Sequence, residues 1–293
     1  MDIRWRGNGP TTDEAHPRQL ESQAPYRAYL LGDLRLFRGD EPMVSSPTRR
    51  KGLQMLVWFL LNAGKPCSAE QIAYDLWPEA DHVSAMNLFD VNMHALKRIL
   101  EPDLGPREAS SFITRHPNRI YIFEGAGRWW SDVADVNLHY QRGHACDLGG
   151  DPSRALYYFR RIAEYASRPN ILDGENAPWL EPFRRKHELL CAQSITRSIR
   201  LNIELGHDEE VLDAAYQMLQ IDRHNELATR VIVVTSLMRG DCSSAIALLN
   251  TTLTRIKADL GIDPPRSLVS LQDLVSAWGS LEGTYGFRNN RAS

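Results

Sequence analysis

Asn87, Asp90, Val91, His94 and Arg98 share one face of the stretch LWPEADHVSAMNLFDVNMHALKRIL when residues 76–100 are placed on a helix at about 100° per residue. Phe89, Met93, Leu96 and Leu100 fall on the opposite face. The first face carries an amide, an acid, a β-branched apolar group, an imidazole and a guanidinium. Such groups can meet base edges in a major groove, where Asn reads adenine, Arg reads guanine and Val touches a thymine methyl. The same face is also what an ordinary solvated helix presents, so the elements around it have to decide.

At 293 residues the chain has the length of two domains, and 43% hydrophobic residues supply their cores. A net charge of −3 and a pI near 6.3 argue against a protein that binds polyanions over its whole surface. Any nucleic-acid contact must then come from a local patch. Cys67, Cys146, Cys191 and Cys242 lie far apart, without a Cys-x-x-Cys pair or metal-ligand spacing to the nine histidines. They read as buried or free thiols in a reducing cytoplasm, and neither cofactor nor metal is expected. No apolar run approaches the roughly 18 residues of a membrane span, so no membrane partner is expected. Residues 1–25 are polar, lack the apolar centre of a signal peptide, and are expected to be a disordered leader.

From Tyr26 the pattern turns strand-like: YRAYLL, Gly32-Asp33, LRLF and RGDEP read as two short strands with turns between and after them. Ser46 and Pro47 suit the N-cap and first position of a helix through LQMLVWFLL, ending near Asn62 to Gly64. Arg49, Arg50 and Lys51 then crowd its start, where the helix dipole disfavours cations by about 0.3–1 kcal/mol each. Either water solvates these charges or a phosphate backbone compensates them. SAEQIAYDLW is a second short helix closed by Pro78, and the helix of the opening paragraph follows, capped by Asp81 or Ser84. FITRHPNRIYIF is a hairpin whose tip gathers Arg115, His116 and Arg119. Strands, three helices and a hairpin, in that order, make a winged helix-turn-helix with the long helix third and the hairpin as wing.

Residues 26–123 resemble the DNA-binding domain of OmpR-type response regulators, and more closely the version in the Streptomyces antibiotic regulatory protein (SARP) family of transcriptional activators. The resemblance rests on Leu31-Gly32, Asp75-Leu76-Trp77-Pro78-Glu79, Asn87 with Val91, Leu96, Lys97 and Arg98, and the hairpin Ile113-Thr114-Arg115 to Tyr121. It implies that the third helix enters the major groove of double-stranded DNA while the wing contacts the minor groove or backbone. Asn87, Val91, His94 and Arg98 would then face bases, Arg49, Arg50, Lys51 and Lys97 phosphates, with Arg115, His116 and Arg119 forming the wing. Two positions depart from the family. Ala95 stands where an Arg is usual, and Asp90 where relatives carry a basic or polar residue. With twelve Lys/Arg against eleven Asp/Glu in residues 26–123, modest affinity or a need for dimers is expected.

Trp129 and Trp130 open the segment leading to a second domain and are expected to pack between the domains. From Asp132 to about Leu281 the pattern is helix after helix without a strand. Gly150, Gly206 and Gly240 each precede by five residues a small or β-branched apolar residue (Ala155, Val211, Ala245) and by nine an apolar one (Phe159, Ala215, Leu249). Gly206 and Gly240 are 34 apart, the tetratricopeptide period, in which Gly ends one helix and the small residue lets the next pack close. ILDGENAPWLEPFRRKHELL interrupts the array as a loop and a long helix. Residues 258–265, ADLGIDPP, closely resemble the end of the bacterial transcriptional activator domain that follows the winged helix in SARP proteins. The expected organisation is a leader 1–25, a winged-helix (α+β) domain 26–125, an all-α tetratricopeptide-like domain 126–281 and a polar tail 282–293.

The chain shows no Gly-rich phosphate loop, H-E-x-x-H or G-x-S-x-G, so an enzyme is not expected. It shows neither an ATPase module nor a receiver domain, so any switch is expected to act through oligomerisation, expression level or something bound by the helical half. The resemblance implies an activator that binds repeated promoter half-sites, dimerises and contacts RNA polymerase. The competing reading is a tetratricopeptide-type interaction scaffold whose winged helix has lost DNA affinity through Ala95 and Asp90.

Overall fold

The computed structural model describes residues 21–43, 50–105, 108–125 and 127–286, which form two compact units. The first comprises the described chain up to Asp135 together with Arg168–Lys186; the second comprises Val136–Ser167 and the chain from His187 onward. The leader up to residue 20, Ser46, Pro47, Arg49 and the tail from residue 287 lie outside the described residues.

In the first unit β1 (Tyr26–Tyr29) and β2 (Arg35–Arg38) pair antiparallel around Gly32, with Tyr26 opposite Arg38, and β3 (Glu41–Pro42) adds to the outer edge of β2. Helices α1 (Arg50–Leu61), α2 (Ala69–Leu76) and α3 (His82–Leu100) follow, with the two-residue strand β4 (Cys67–Ser68) between the first two. Ser68 caps α2 by accepting the Gln71 amide at 3.1 Å, and the Trp58 indole of α1 donates to Asp75 of α2 at 2.9 Å. Strands β5 (Ile113–His116) and β6 (Ile120–Phe123) form the hairpin, in register Ile113 to Phe123, with β4 completing a three-stranded sheet in the order β4-β6-β5. Leu56, Phe59, Ile72, Phe89, Leu96 and Phe123 are buried together in the core of this unit.

Trp129 and Trp130, expected between the domains, belong to the sheet of the first unit. They lie on β7 (Trp129–Ser131), which runs parallel to β1 and completes a sheet in the order β3-β2-β1-β7. Trp129 stacks on Tyr26 at 5.0 Å and Trp130 meets Tyr29 edge-on at 5.3 Å. Directly after β7, the Asp132 carboxylate accepts the Leu30 amide at 2.9 and 3.0 Å, the Leu31 amide at 3.1 Å and the Val133 amide at 2.9 Å. Burial pushes this carboxyl above its ordinary value despite those amides.

The interrupting segment also belongs to the first unit. The Leu172 amide donates to Leu30 and the Gly32 amide to Asn170, while Arg184 ties the loop together by donating to the carbonyls of Ile171, Leu172 and Glu175 at 2.8–2.9 Å. Ile171 and Leu180 are fully buried. A boundary at residue 125 therefore cuts through this unit rather than around it.

The second unit is built from α4 (Asp132–Leu148, from Val136), α5 (Pro152–Ala166), α6 (Glu181–Leu205, from His187), α7 (Asp208–Ile221), α8 (Glu226–Met238), α9 (Cys242–Leu260) and α10 (Arg266–Gly286). The last helix thus runs past the expected end at residue 281. Gly206 and Gly240 end their helices in the left-handed region, at φ +73° and +78°, a conformation that costs other residues more. The apolar positions five and nine residues on are all buried, so successive helices close on one another as the repeat spacing requires. Arg197 braces α6 against α4 through a two-pronged contact with Asp147 at 2.6 and 2.7 Å.

Candidate nucleic-acid interface

Helix α3 is held at both ends. At its start Asp81 accepts the Val83 and Ser84 amides at 3.0 and 3.1 Å, and the Ser84 side chain and amide hold the Asp81 carboxyl below its ordinary value. At its end Arg38, from β2, donates to the carbonyls of Ile99 and Leu100, both at 3.0 Å. A cation there satisfies orphan carbonyls and suits the negative end of the dipole. Phe89, Met93, Leu96 and Leu100 are all buried, so one side of the helix is fully used in packing.

The other side is open. Asn87, His94 and Arg98 are exposed, and Val91 retains 69% of its surface. Among the described residues none of these side chains has an intramolecular hydrogen bond or ion pair. The structure adds Val83 to the same row, 68% exposed and one turn before Asn87. The spacing 83, 87, 91 was present in the sequence; only an isolated exposed valine at the helix start concealed it. Lys97 is half-buried on the flank and Ala95 is partly covered. Beside Val91 and Arg98 a cavity of about 650 Å³ opens toward Arg38, Glu41 and Pro42 of the β2–β3 hairpin and Leu53 of α1.

On the flank of Asp90 stands the wing. Arg115 and His116 are exposed at its tip and have no partner among the described residues. Arg119 is turned inward: its guanidinium pairs with Asp90 and lies 5.5 Å from the centre of the Phe89 ring. The tip reaches this shape with two successive residues in the left-handed region, Asn118 at φ 57° and Arg119 at φ 54°. Asn tolerates that region, whereas for Arg it costs about 1 kcal/mol or more. At the base of the wing Glu101, just past α3, accepts the Ser111 amide at 2.8 Å and the hydroxyls of Ser110 and Ser111. Arg50 and Lys51 open α1, as expected, and Arg49 lies outside the described residues.

The architecture has relatives. Residues 131–275 match the bacterial transcriptional activator domain. The chain is similar to the regulatory protein AfsR of Streptomyces coelicolor, 20% identical over 259 residues that make up 88% of this chain and 25% of that one. It is similar to AfsR of Streptomyces griseus at 21% identity, covering 92% of this chain and 27% of the relative. It thus spans about a quarter of the length of these relatives. Among solved structures it shares a fold with EmbR of Mycobacterium tuberculosis, determined with a low-affinity phosphopeptide: the TM-score is 0.68 at 19% identity, over 92% of this chain and 72% of that one.

The chain thus carries a winged-helix unit ahead of a segment that matches the bacterial transcriptional activator domain. The relatives it resembles along most of its own length are regulatory proteins.

Proposed function

We propose that this chain is a sequence-specific DNA-binding transcription activator that reads the major groove with α3. The observation that carries the reading is the contrast across that helix: one side is wholly buried, while Asn87, Val91, His94 and Arg98 stand exposed and unpaired among the described residues. In this reading those four side chains face base edges, Arg49, Arg50, Lys51 and Lys97 engage phosphates, and the wing adds Arg115 and His116. Val83 extends the apolar part of the row, suited to thymine methyls. The helical unit mediates dimerisation on repeated promoter half-sites and contact with RNA polymerase.

The test is selection of duplexes from a random pool by the full chain, followed by fluorescence anisotropy on the recovered duplex and a scrambled one. A recovered motif bound at least tenfold more tightly than its scramble supports the reading; an equal affinity for both at low salt overturns it. Arg98→Ala should relax preference at one position of the motif, whereas Lys97→Ala should weaken both duplexes alike and lower the salt slope by about one.

A further inference from the structure

Asp90 is the only carboxylate within α3, and it sits on the face proposed for DNA. Left alone, it would repel phosphates. Arg119 covers it, and in doing so becomes the less exposed partner, at 33% of its side chain against 59% for Asp90. The guanidinium also lies over Phe89, which is fully buried and in turn packs on Tyr121 of the wing at 5.2 Å. Arg119 therefore points from the wing into α3, while Arg115 and His116 are exposed to solvent. The left-handed backbone at Asn118 and Arg119 is what turns that side chain back. With Glu101 fastening the base of the hairpin, the pair fastens its tip.

We infer that Asp90 and Arg119 are a positioning clamp: they fix the attitude of the wing against α3 and withhold Arg119 from the phosphate backbone. The inference rests on the DNA-binding reading above. It turns the acid that departs from the family pattern from a defect into a device favouring discrimination over bulk affinity. Removing Asp90 frees a cation at the wing tip, so binding gains one phosphate contact without gaining sequence information.

The experiment compares the full chain with Asp90→Asn, Arg119→Ala and the double variant, by anisotropy over a salt series on the recovered duplex and its scramble. Asp90→Asn should bind the scramble more tightly, steepen the salt slope by about one and narrow the ratio between the duplexes. Arg119→Ala should leave Asp90 uncovered, weaken both duplexes and narrow the ratio, whereas the double variant, with both charges gone, should recover the wild-type slope but not the ratio. A slope lowered by about one in the double variant, which would mean that Arg119 itself held a phosphate, or an unaltered slope and ratio in Asp90→Asn, overturns the inference. Hydrogen exchange of the wing amides supplies a DNA-free measurement. Both single variants should accelerate it, and the double variant no more than either. If the wild-type chain binds neither duplex, the DNA reading falls and the exchange data decide on the clamp alone; unchanged exchange overturns it.

Discussion

In the winged-helix unit, α3 buries one side completely and leaves an amide, an imidazole and a guanidinium unpaired on the other, among the described residues. In the helical unit charged side chains join successive helices and turns: Arg197 with Asp147, Arg160 with Asn202, and His224 with Asp259 at 3.0 Å. These polar groups are consumed by the fold. Those left over, on an element otherwise rigidly packed and capped, are available to a ligand. The contrast supports the proposed interface on α3 and its wing, and shows the charges of the helical unit joining its stacked helices.

The largest effect should come where the first unit uses a polar group for folding. Asp132→Asn turns an amide nitrogen toward backbone N–H groups that now meet carboxylate oxygens, and should cost about 3 kcal/mol in urea unfolding followed by fluorescence. A loss below the range of ordinary surface substitutions would break the comparison.

The helical unit should respond next, through pH. His187 is buried, with Nε2 3.7 Å from Cys191 Sγ, and burial lowers its pKa from 6.5 to about 4. Its folded form resists protonation, so the stability it confers is fully present above pH 6.5 and declines as pH falls toward 4. The decline should reach at most about 3 kcal/mol. His187→Met should flatten the profile between pH 7 and pH 4 in thermal unfolding. Cys191, pushed up to about 12 by burial and the Glu188 charge, stays a thiol throughout.

A smaller effect, of a different kind, is expected at Arg98. Arg98→Ala should reduce discrimination at one base pair by about 1–3 kcal/mol while leaving the melting temperature unmoved. A fall in melting temperature would show that the fold uses the residue. Smallest of all, Gly240→Ala meets no atom within 4 Å of the added carbon. It should cost only its left-handed backbone, about 1 kcal/mol in equilibrium unfolding.

What the sequence made legible was local. The apolar row of α3 and its Asp81 cap follow from helical period and cap chemistry, and the Gly150, Gly206 and Gly240 junctions from a repeated frame. What it concealed depends on distant pairing. Parallel pairing of β7 with β1 joins residues about a hundred positions apart without a turn to announce it, so two tryptophans of a sheet looked like packing between domains. The Arg38 cap of α3 spans 61 residues and the Arg119–Asp90 pair 29, across a hairpin whose tip geometry no propensity foretells. The segment 168–186 reads as an insertion because it lies inside a helical array, yet its carbonyls and apolar residues serve the other unit.

The closure of β1 by β7 bears on how this chain can be dissected. A gene fragment ending after the hairpin would encode the whole surface proposed to face DNA but strip β1 of its neighbour, leaving a raw sheet edge open to self-association. Such a piece should precipitate, whereas one retaining Asp132 and co-expressed with residues 168–186 should recover solubility. Transplanting the proposed DNA-reading surface onto another protein therefore requires a discontinuous graft.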